Sequence, residues 1–375
     1  MKLRRYSNII ILAFLFMAVL ISPAIAKKKH AKAQPKYFIL DVSLGLTYDD
    51  NILRYSDADL DLYGSDIQPA KFAIESENDW IVTPQIRPRL EHRFIGGQQA
   101  SLTLGYDYFG YIKNDIRRYS RFSISAQHYF SKKGYAQLSY GYIPKYYYRN
   151  LYYGGDSLAA DLYLPAKFSK NTLRAEVGYD FTKEIKGSVS YQYLKKSYNH
   201  EFNYRDLSLN GFAVDGVWRA MKILKVWAGY NYENAKAKGA DMADTLPDYS
   251  YIAWDVTAGV RHYMNIWPQL KPEVYTSVQF RHTTYQSSKV PRLFNTVHAY
   301  QYGRSDNNYQ LRLGAACQIP YKLRLELDYT FSLKRASLPD IYPNPFWNIT
   351  QSTNELERKL NYSANTITLR VSRQF

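Results

Sequence analysis

The side chains that could do chemistry in this 375-residue chain are few and scattered. A hydrolytic centre needs a nucleophile within hydrogen-bond reach of a base, and a third group that orients the base. None of the seven histidines (His30, His92, His128, His200, His262, His282 and His298) sits in a recognisable motif of that kind. By alternation, His128 and His262 fall on the apolar side of extended segments, while His200 and His298 fall in polar connections. His282 lies near a strand end and His92 near a short turn. Asp57-x-Asp59-x-Asp61 has the carboxylate spacing that opens a calcium-binding loop. The pattern then fails, with Leu62 where the turn glycine belongs and Gln68 where the bidentate glutamate belongs. Together with Asp49, Asp50 and Asp66 it reads as a solvated acidic loop, open to loose contact with a divalent cation. The single cysteine, Cys317, permits no internal disulfide. The reading therefore assigns no catalytic residue, no metal and no cofactor.

What remains is charge held in rows. Arg87, Arg89, Glu91 and Arg93 occur on alternate positions, as do Arg174 and Glu176, which Asp180 follows on the same parity. The pattern returns at Lys271, Glu273 and Arg281, and at Arg324, Glu326, Asp328 and Lys334, with Arg312 and Arg370 in neighbouring segments. In each case most of the intervening positions are apolar. Period-two alternation belongs to strands with two unlike faces. Arg or Lys facing lipid at the membrane midplane costs about 2–4 kcal/mol. If the apolar faces meet lipid, the charged rows must line an interior.

The same alternation runs from Phe38, Leu40, Val42, Leu44, Leu46 and Tyr48 to the end of the chain. It predicts fourteen strands, near 37–48, 79–93, 100–112, 119–130, 135–148, 170–181, 187–198, 205–219, 224–235, 250–264, 270–285, 307–319, 322–335 and 359–375. In the eighth, Leu207 and Leu209 are out of phase with Phe212, Val214 and Trp218, and a bulge at Asn210-Gly211 would reconcile them. Short connections alternate with long polar ones, such as 49–78, 149–169 and 336–358. That is the layout of short periplasmic turns opposite long external loops. An even strand count puts both termini on one side, expected to be the periplasm. Tyr106/Tyr108, Tyr140/Tyr142, Tyr191/Tyr193, Tyr230/Tyr232 and Tyr329/Phe331 would form one interfacial girdle. Phe130, Phe181, Trp267 and Phe375 would form the other. A soluble two-sheet sandwich also alternates, but it accounts for neither girdle. The predicted fold class is all-β: a transmembrane antiparallel up-and-down β-barrel of about 14 strands over residues 36–375.

Export fits this architecture. Lys2, Arg4 and Arg5 precede an apolar run over Ile9–Ile21, and Ala24-Ile25-Ala26 offers a cleavage site. Residues 1–26 therefore read as a signal peptide and 27–35 as a basic periplasmic tail. The apolar run is shorter than the ~20 residues a spanning helix needs. Mean hydropathy is −0.45 although 16% of residues are aromatic, 38 of them tyrosine. A barrel reconciles the two, because only alternate residues face lipid. The net charge of +16 would often mean nucleic acid. An exported chain instead meets lipopolysaccharide phosphates first, so no nucleic-acid partner is expected.

Ile367, Leu369, Val371 and Phe375 alternate with Thr368, Arg370, Ser372 and Gln374. This ending is similar to the C-terminal insertion signal of Gram-negative outer-membrane β-barrel proteins. The resemblance implies recognition by the barrel-assembly machinery and a location in the outer membrane. Arg373 departs from the usual apolar residue at its position. The junction Tyr48-Asp49-Asp50-Asn51-Ile52 also resembles the opening of porin-like barrels. The expectation is a porin-like channel for small polar solutes with a modest anion bias, and not an enzyme. An accessory barrel without an open bore, supporting envelope polysaccharide export, is the alternative, and an outer-membrane hydrolase is the third reading.

Overall fold

The computed structural model describes residues 38–65, 69–93, 99–153, 163–242, 246–288, 301–339 and 352–375. The expected signal peptide and basic tail, His30, His298, Asp66 and Gln68 lie outside the described residues. Fourteen strands form: β1 Phe38–Asp49, β2 Asp79–Arg93, β3 Gln99–Tyr111, β4 Tyr119–Tyr129, β5 Gly134–Tyr152, β6 Tyr163–Asp180 and β7 Ile185–Tyr198. They continue with β8 Leu207–Met221, β9 Leu224–Ala237, β10 Tyr251–Tyr263, β11 Glu273–Tyr285, β12 Ser305–Ile319, β13 Leu323–Ser337 and β14 Tyr362–Gln374. Each pairs antiparallel with its sequence neighbours, and β14 closes on β1 from Asp41↔Gln374 to Asp49↔Thr366. A sheet that closes on itself has no unpaired edge, which is the condition for strands to cross a lipid core. At ~4.8 Å between strands and ~40° tilt, fourteen strands enclose a backbone cylinder roughly 28 Å across.

Leu104, Ile124, Leu138, Val177, Val189, Val214, Val256, Val278 and Leu327 all stand exposed on the outer surface. An exposed apolar belt of that extent is a lipid-facing surface. Tyr106, Tyr140, Tyr191 and Tyr230 edge it at the end carrying the long connections, and Phe130, Phe181 and Trp267 edge it at the end carrying the short turns. The chain is thus a transmembrane barrel with the architecture of Gram-negative outer-membrane β-barrels. At the seam, Phe375 N–H donates to the Leu40 carbonyl at 2.9 Å, and Leu40 N–H to the Phe375 carbonyl at 3.3 Å. The Phe375 ring packs on the cluster around Val42 and Leu323. The Arg373 guanidinium lies 4.6 Å from that ring, so the departure from an apolar residue is used in packing.

Four sequence expectations change. No bulge forms at Asn210-Gly211: β8 keeps unbroken register with β7 from Leu207 to Trp218, and its irregularity falls between Trp218 and Met221. Leu207 and Leu209 are out of phase because they point inward, packing with Leu194, Ala235 and Ala237. The connection expected over 149–169 is partly strand, since β5 and β6 stay paired out to Tyr152↔Tyr163. Lys271 is not on the barrel wall. Pro272 has no N–H to give a ladder, so β11 begins at Glu273, and Lys271 sits exposed in the preceding turn with φ 43°. The acidic run does not stay an open loop either. It begins helix α1, Asp57–Ser65, with Asp59 buried and paired to Lys71 at 2.5 Å.

The first long connection is packed onto the loop end of the barrel. Ile52, Leu53, Tyr55, Phe72 and Ile74 form a core with Ile81, Tyr111 and Tyr147 of the wall. Arg117 donates to the carbonyls of Tyr147 at 2.8 Å and Ile52 at 3.0 Å, and Arg149 to that of Leu53 at 2.9 Å. The Asp49-Asp50-Asn51 motif pins the same connection to the seam. Asp50 accepts from Asn365 N–H and Nδ2, both at 2.7 Å, and Asn51 exchanges two bonds of 2.8 Å with Tyr55.

Candidate functional site: the lumen

Register and parity put two unlike walls inside the barrel. From β9 to β14 the inward charges form a connected ladder. Arg281 pairs with Glu233 at 2.5 Å and Asp255 at 3.3 Å. Glu273 takes Arg261 at 3.4 Å and also Arg324. Arg312 pairs with Asp328 at 2.8 Å, while Glu326 takes Arg370 at 3.6 Å and the Tyr275 hydroxyl at 2.7 Å. Near the loop end, Asp306 holds Arg304 at 2.6 Å and Lys334 at 3.1 Å. Each acid here answers at least one base, so most of the charge on this wall is matched, although Lys225 of β9 also stands opposite Arg261.

Two aromatic side chains lie flat on this wall because a glycine sits beneath each. A Cβ at Gly259 would stand 2.2 Å from the Trp227 indole, and one at Gly314 would stand 2.2 Å from the Tyr275 ring. A recess of about 410 Å³ opens beside them, lined by Trp227, Arg261, Tyr275, Gln279, Arg312 and Glu326.

The wall from β2 to β8 is built differently. Its turn half has paired charges: Asp107, 2% exposed, holds Arg87 at 3.1 Å and Arg121 at 2.7 Å. Arg89 pairs with Glu91 at 3.1 Å, and Glu176 holds Arg174 at 2.8 Å and accepts from Tyr135 at 2.6 Å. Arg93 ends β2, and its side chain lies outside the described residues. Nearer the loop end, Lys170 of β6 stands directly opposite Lys196 of β7 on the inward face. Among the described residues neither makes an ion pair with an acid. Like charges directly opposite across a ladder are unfavourable, and Glu233 of β9 offsets this pair only from beyond ion-pair distance.

Two residues further toward the loops on the same face, rings replace charges. Phe109 stacks on Tyr119 at 4.3 Å, Tyr119 meets Tyr146 at 4.9 Å, Tyr146 meets Phe168 at 5.0 Å, and Phe168 meets Tyr198 at 5.1 Å. These five rings come from β3, β4, β5, β6 and β7 in order, an arc around about a third of the bore. Two register shifts in β5, at Ile143/Tyr146 and Tyr147/Arg149, re-aim its side chains where the arc crosses. A bulge does this by adding an unpaired residue to one strand. Beyond the arc, Arg205 lies 3.9 Å from the Tyr249 ring and donates to its hydroxyl at 2.5 Å. Burial opposes the Arg205 charge, but the phenols of Tyr249, Tyr204, Tyr148 and Tyr198 outweigh it and hold its pKa above the ordinary value. Burial pushes the Tyr249 phenol up to about 12, against the pull of Arg205.

Sequence parity found Arg87, Arg89, Glu91, Arg174, Glu176, Glu273, Arg281, Arg312, Arg324, Glu326, Asp328 and Arg370 as one set, and all twelve have inward positions. The structure does not gather Arg87, Arg89 and Arg370 into one positive sector. Arg87 lies beside Asp41 in the ladder and Arg370 beside Gly45, four residues apart along β1, and each has its own acid. Lys170 and Lys196 were missed. The signal was present, because the turn that sets Asp180 opposite Lys186 also sets Lys170 opposite Lys196.

Among the described residues, His282 has a partner at each ring nitrogen. His282 Nδ1 lies 2.8 Å from Asn307 Oδ1 and Nε2 lies 3.1 Å from Thr284 Oγ1, on the outer face beside Trp254. Among the described residues no cluster of three or more His, Cys, Asp or Glu could hold a metal ion.

No protein-family model matches the chain, and no curated protein matches it. Solved structures match along nearly their whole length. An anion-selective porin from Comamonas acidovorans is 10% identical, with 90% of this chain and 98% of the porin covered at a TM-score of 0.43. The outer membrane channel DcaP of Acinetobacter baumannii is 9% identical, with 92% and 100% covered at 0.45. A bacterial polysaccharide outer membrane secretin is 10% identical, with 89% and 98% covered at 0.41. At these identities the likeness is one of barrel architecture and bears on no activity.

Proposed function

We infer that the protein is a porin-like channel of the Gram-negative outer membrane, passing small polar solutes with a bias toward anions. The observation that carries this is the wetness of the interior. The inward side chains of Arg87, Arg121, Arg174 and Arg312 are 43%, 44%, 40% and 44% exposed although the wall encloses them. Open faces on enclosed side chains support a water-filled bore. The bias follows from Lys170 and Lys196, neither of which makes an ion pair with an acid among the described residues, since charged groups at close quarters set selectivity. Both termini would be periplasmic and the long connections external, in contact with lipopolysaccharide. Ile367, Leu369, Val371 and Phe375 would be read by the barrel-assembly machinery. Single-channel recording in a planar bilayer tests the reading: discrete conductance steps are expected. Correctly folded protein without conductance would overturn it in favour of an accessory barrel, a reading that the packed first connection at the loop end favours. The hydrolase reading is favoured among the described residues by Thr284–His282–Asn307, which has the order nucleophile, base, orienting group. Esterase activity that is lost in Thr284→Ala would support it.

A further inference from the structure

Lumen and aromatic arc share a layout that does more than bias ions. The ring row (Phe109, Tyr119, Tyr146, Phe168, Tyr198) and the cation row beneath it (Arg121, Lys170, Lys196) sit two residues apart on the same inward faces, about 7 Å along the strand. Lys196 Nζ lies 5.3 Å from the Phe168 ring centre, so the two rows touch at β6 and β7. We propose that Phe168, Lys170 and Lys196 form a binding site for small ring-bearing carboxylates, the ring seated on the arc and the carboxylate bridging the two lysines.

The chemistry follows from what each row lacks. Neither lysine makes an ion pair among the described residues, with Glu233 acting only from a distance, so a carboxylate between them sets two attractions against their repulsion. The rings are half-buried and meet one another at tilted or edge angles over most of the arc. That leaves faces and edges open to a further ring at the usual 4.5–7 Å. A carboxylate without a ring would satisfy only the lower row, and an uncharged ring only the upper one. The arc runs around the bore rather than along it, which suits a single ring at one height and not a polymer threaded lengthwise. The site rests on the channel reading for its physiological role, but its binding does not require conduction.

The test is equilibrium binding to the folded full-length barrel in detergent at low ionic strength, by titration calorimetry with benzoate, glucuronate, acetate and glucose. At least one of benzoate and glucuronate should bind about tenfold tighter than acetate, as one added ring contact allows, and glucose should not bind measurably. The tighter of the two assigns a flat or a pyranose ring. Lys170→Gln/Lys196→Gln should bring the ring carboxylates down to the level of acetate, and Lys170→Arg/Lys196→Arg should restore them. Phe168→Leu should weaken the ring carboxylates about tenfold and leave acetate unchanged. Acetate binding as tightly as both ring carboxylates, or a lysine double variant that binds like wild type while remaining folded by its heat-dependent gel mobility, would overturn the site. Binding without conductance would refute the channel and leave the site standing. Conductance without ring preference would do the reverse.

Discussion

The two halves of the lumen hold similar kinds of residue and organise them in opposite ways. Between β9 and β14, arginines and carboxylates alternate from strand to strand, so that Glu233, Glu273, Glu326, Asp306 and Asp328 each meet a base. Between β3 and β8, the loop end carries rings and two lysines that face each other without an acid. A ladder of matched charges ties strands together and leaves little field in the bore. An unmatched pair does nothing for the wall and projects its whole field into the bore. The number of charged residues on a wall therefore says little about selectivity, and their cross-strand register decides it.

The largest effect is expected where the halves are joined. Deleting Phe375 removes both backbone bonds to Leu40 and the ring that caps the Val42–Leu323 cluster. The yield of barrel in the outer membrane should fall several-fold, read by the amount of heat-modifiable protein in that fraction. Normal levels would mean that the seam closes without its terminal ring.

Next comes a variant that makes the ladder half resemble the other. Asp328 is buried and holds Arg312 and Tyr275. Asp328→Asn should cost about 2 kcal/mol in urea unfolding, below the range for fully buried pairs because Arg312 is half exposed. It should also increase anion preference by leaving Arg312 to share Glu326 with Arg370. Lower stability with unchanged selectivity would mean that ladder charges do not reach the bore.

A smaller effect is expected from Arg87→Gln and Arg370→Gln. Asp107 keeps Arg121 and Glu326 keeps Arg312, so each loss is offset by an acid that turns to its remaining partner. Reversal potential should shift less for either than for removal of one lysine. A larger shift would return the selectivity to the β1–β2 side.

The strands and their facing were legible from alternation. All fourteen appear within a few residues of the expected bounds, except where β5 and β6 continue beyond the lipid belt. There Phe168 and Tyr146 turn inward and the apolar face no longer marks the outside, so the parity signal reverses its meaning. Leu207 and Leu209 misled for the same reason: apolar residues inside the loop end look like a phase error to a rule that equates apolar with lipid. Inward charges were legible as a set, but their partners were not. Pairing depends on register across strands, which the sequence specifies only where a tight turn allows counting, as from Asp180–Lys186 back to Lys170–Lys196.

The central claim, that unmatched lysines and not total lumen charge set the preference for anions, is tested most directly by reversal potential in an asymmetric potassium chloride gradient at low ionic strength, where screening is weakest. Wild type should prefer chloride, Lys170→Gln/Lys196→Gln should lose most of that preference, and Arg324→Gln, which removes one of two bases from Glu273, should keep it. Equal shifts in the lysine and arginine variants, or a lysine double variant with wild-type selectivity, would contradict the account.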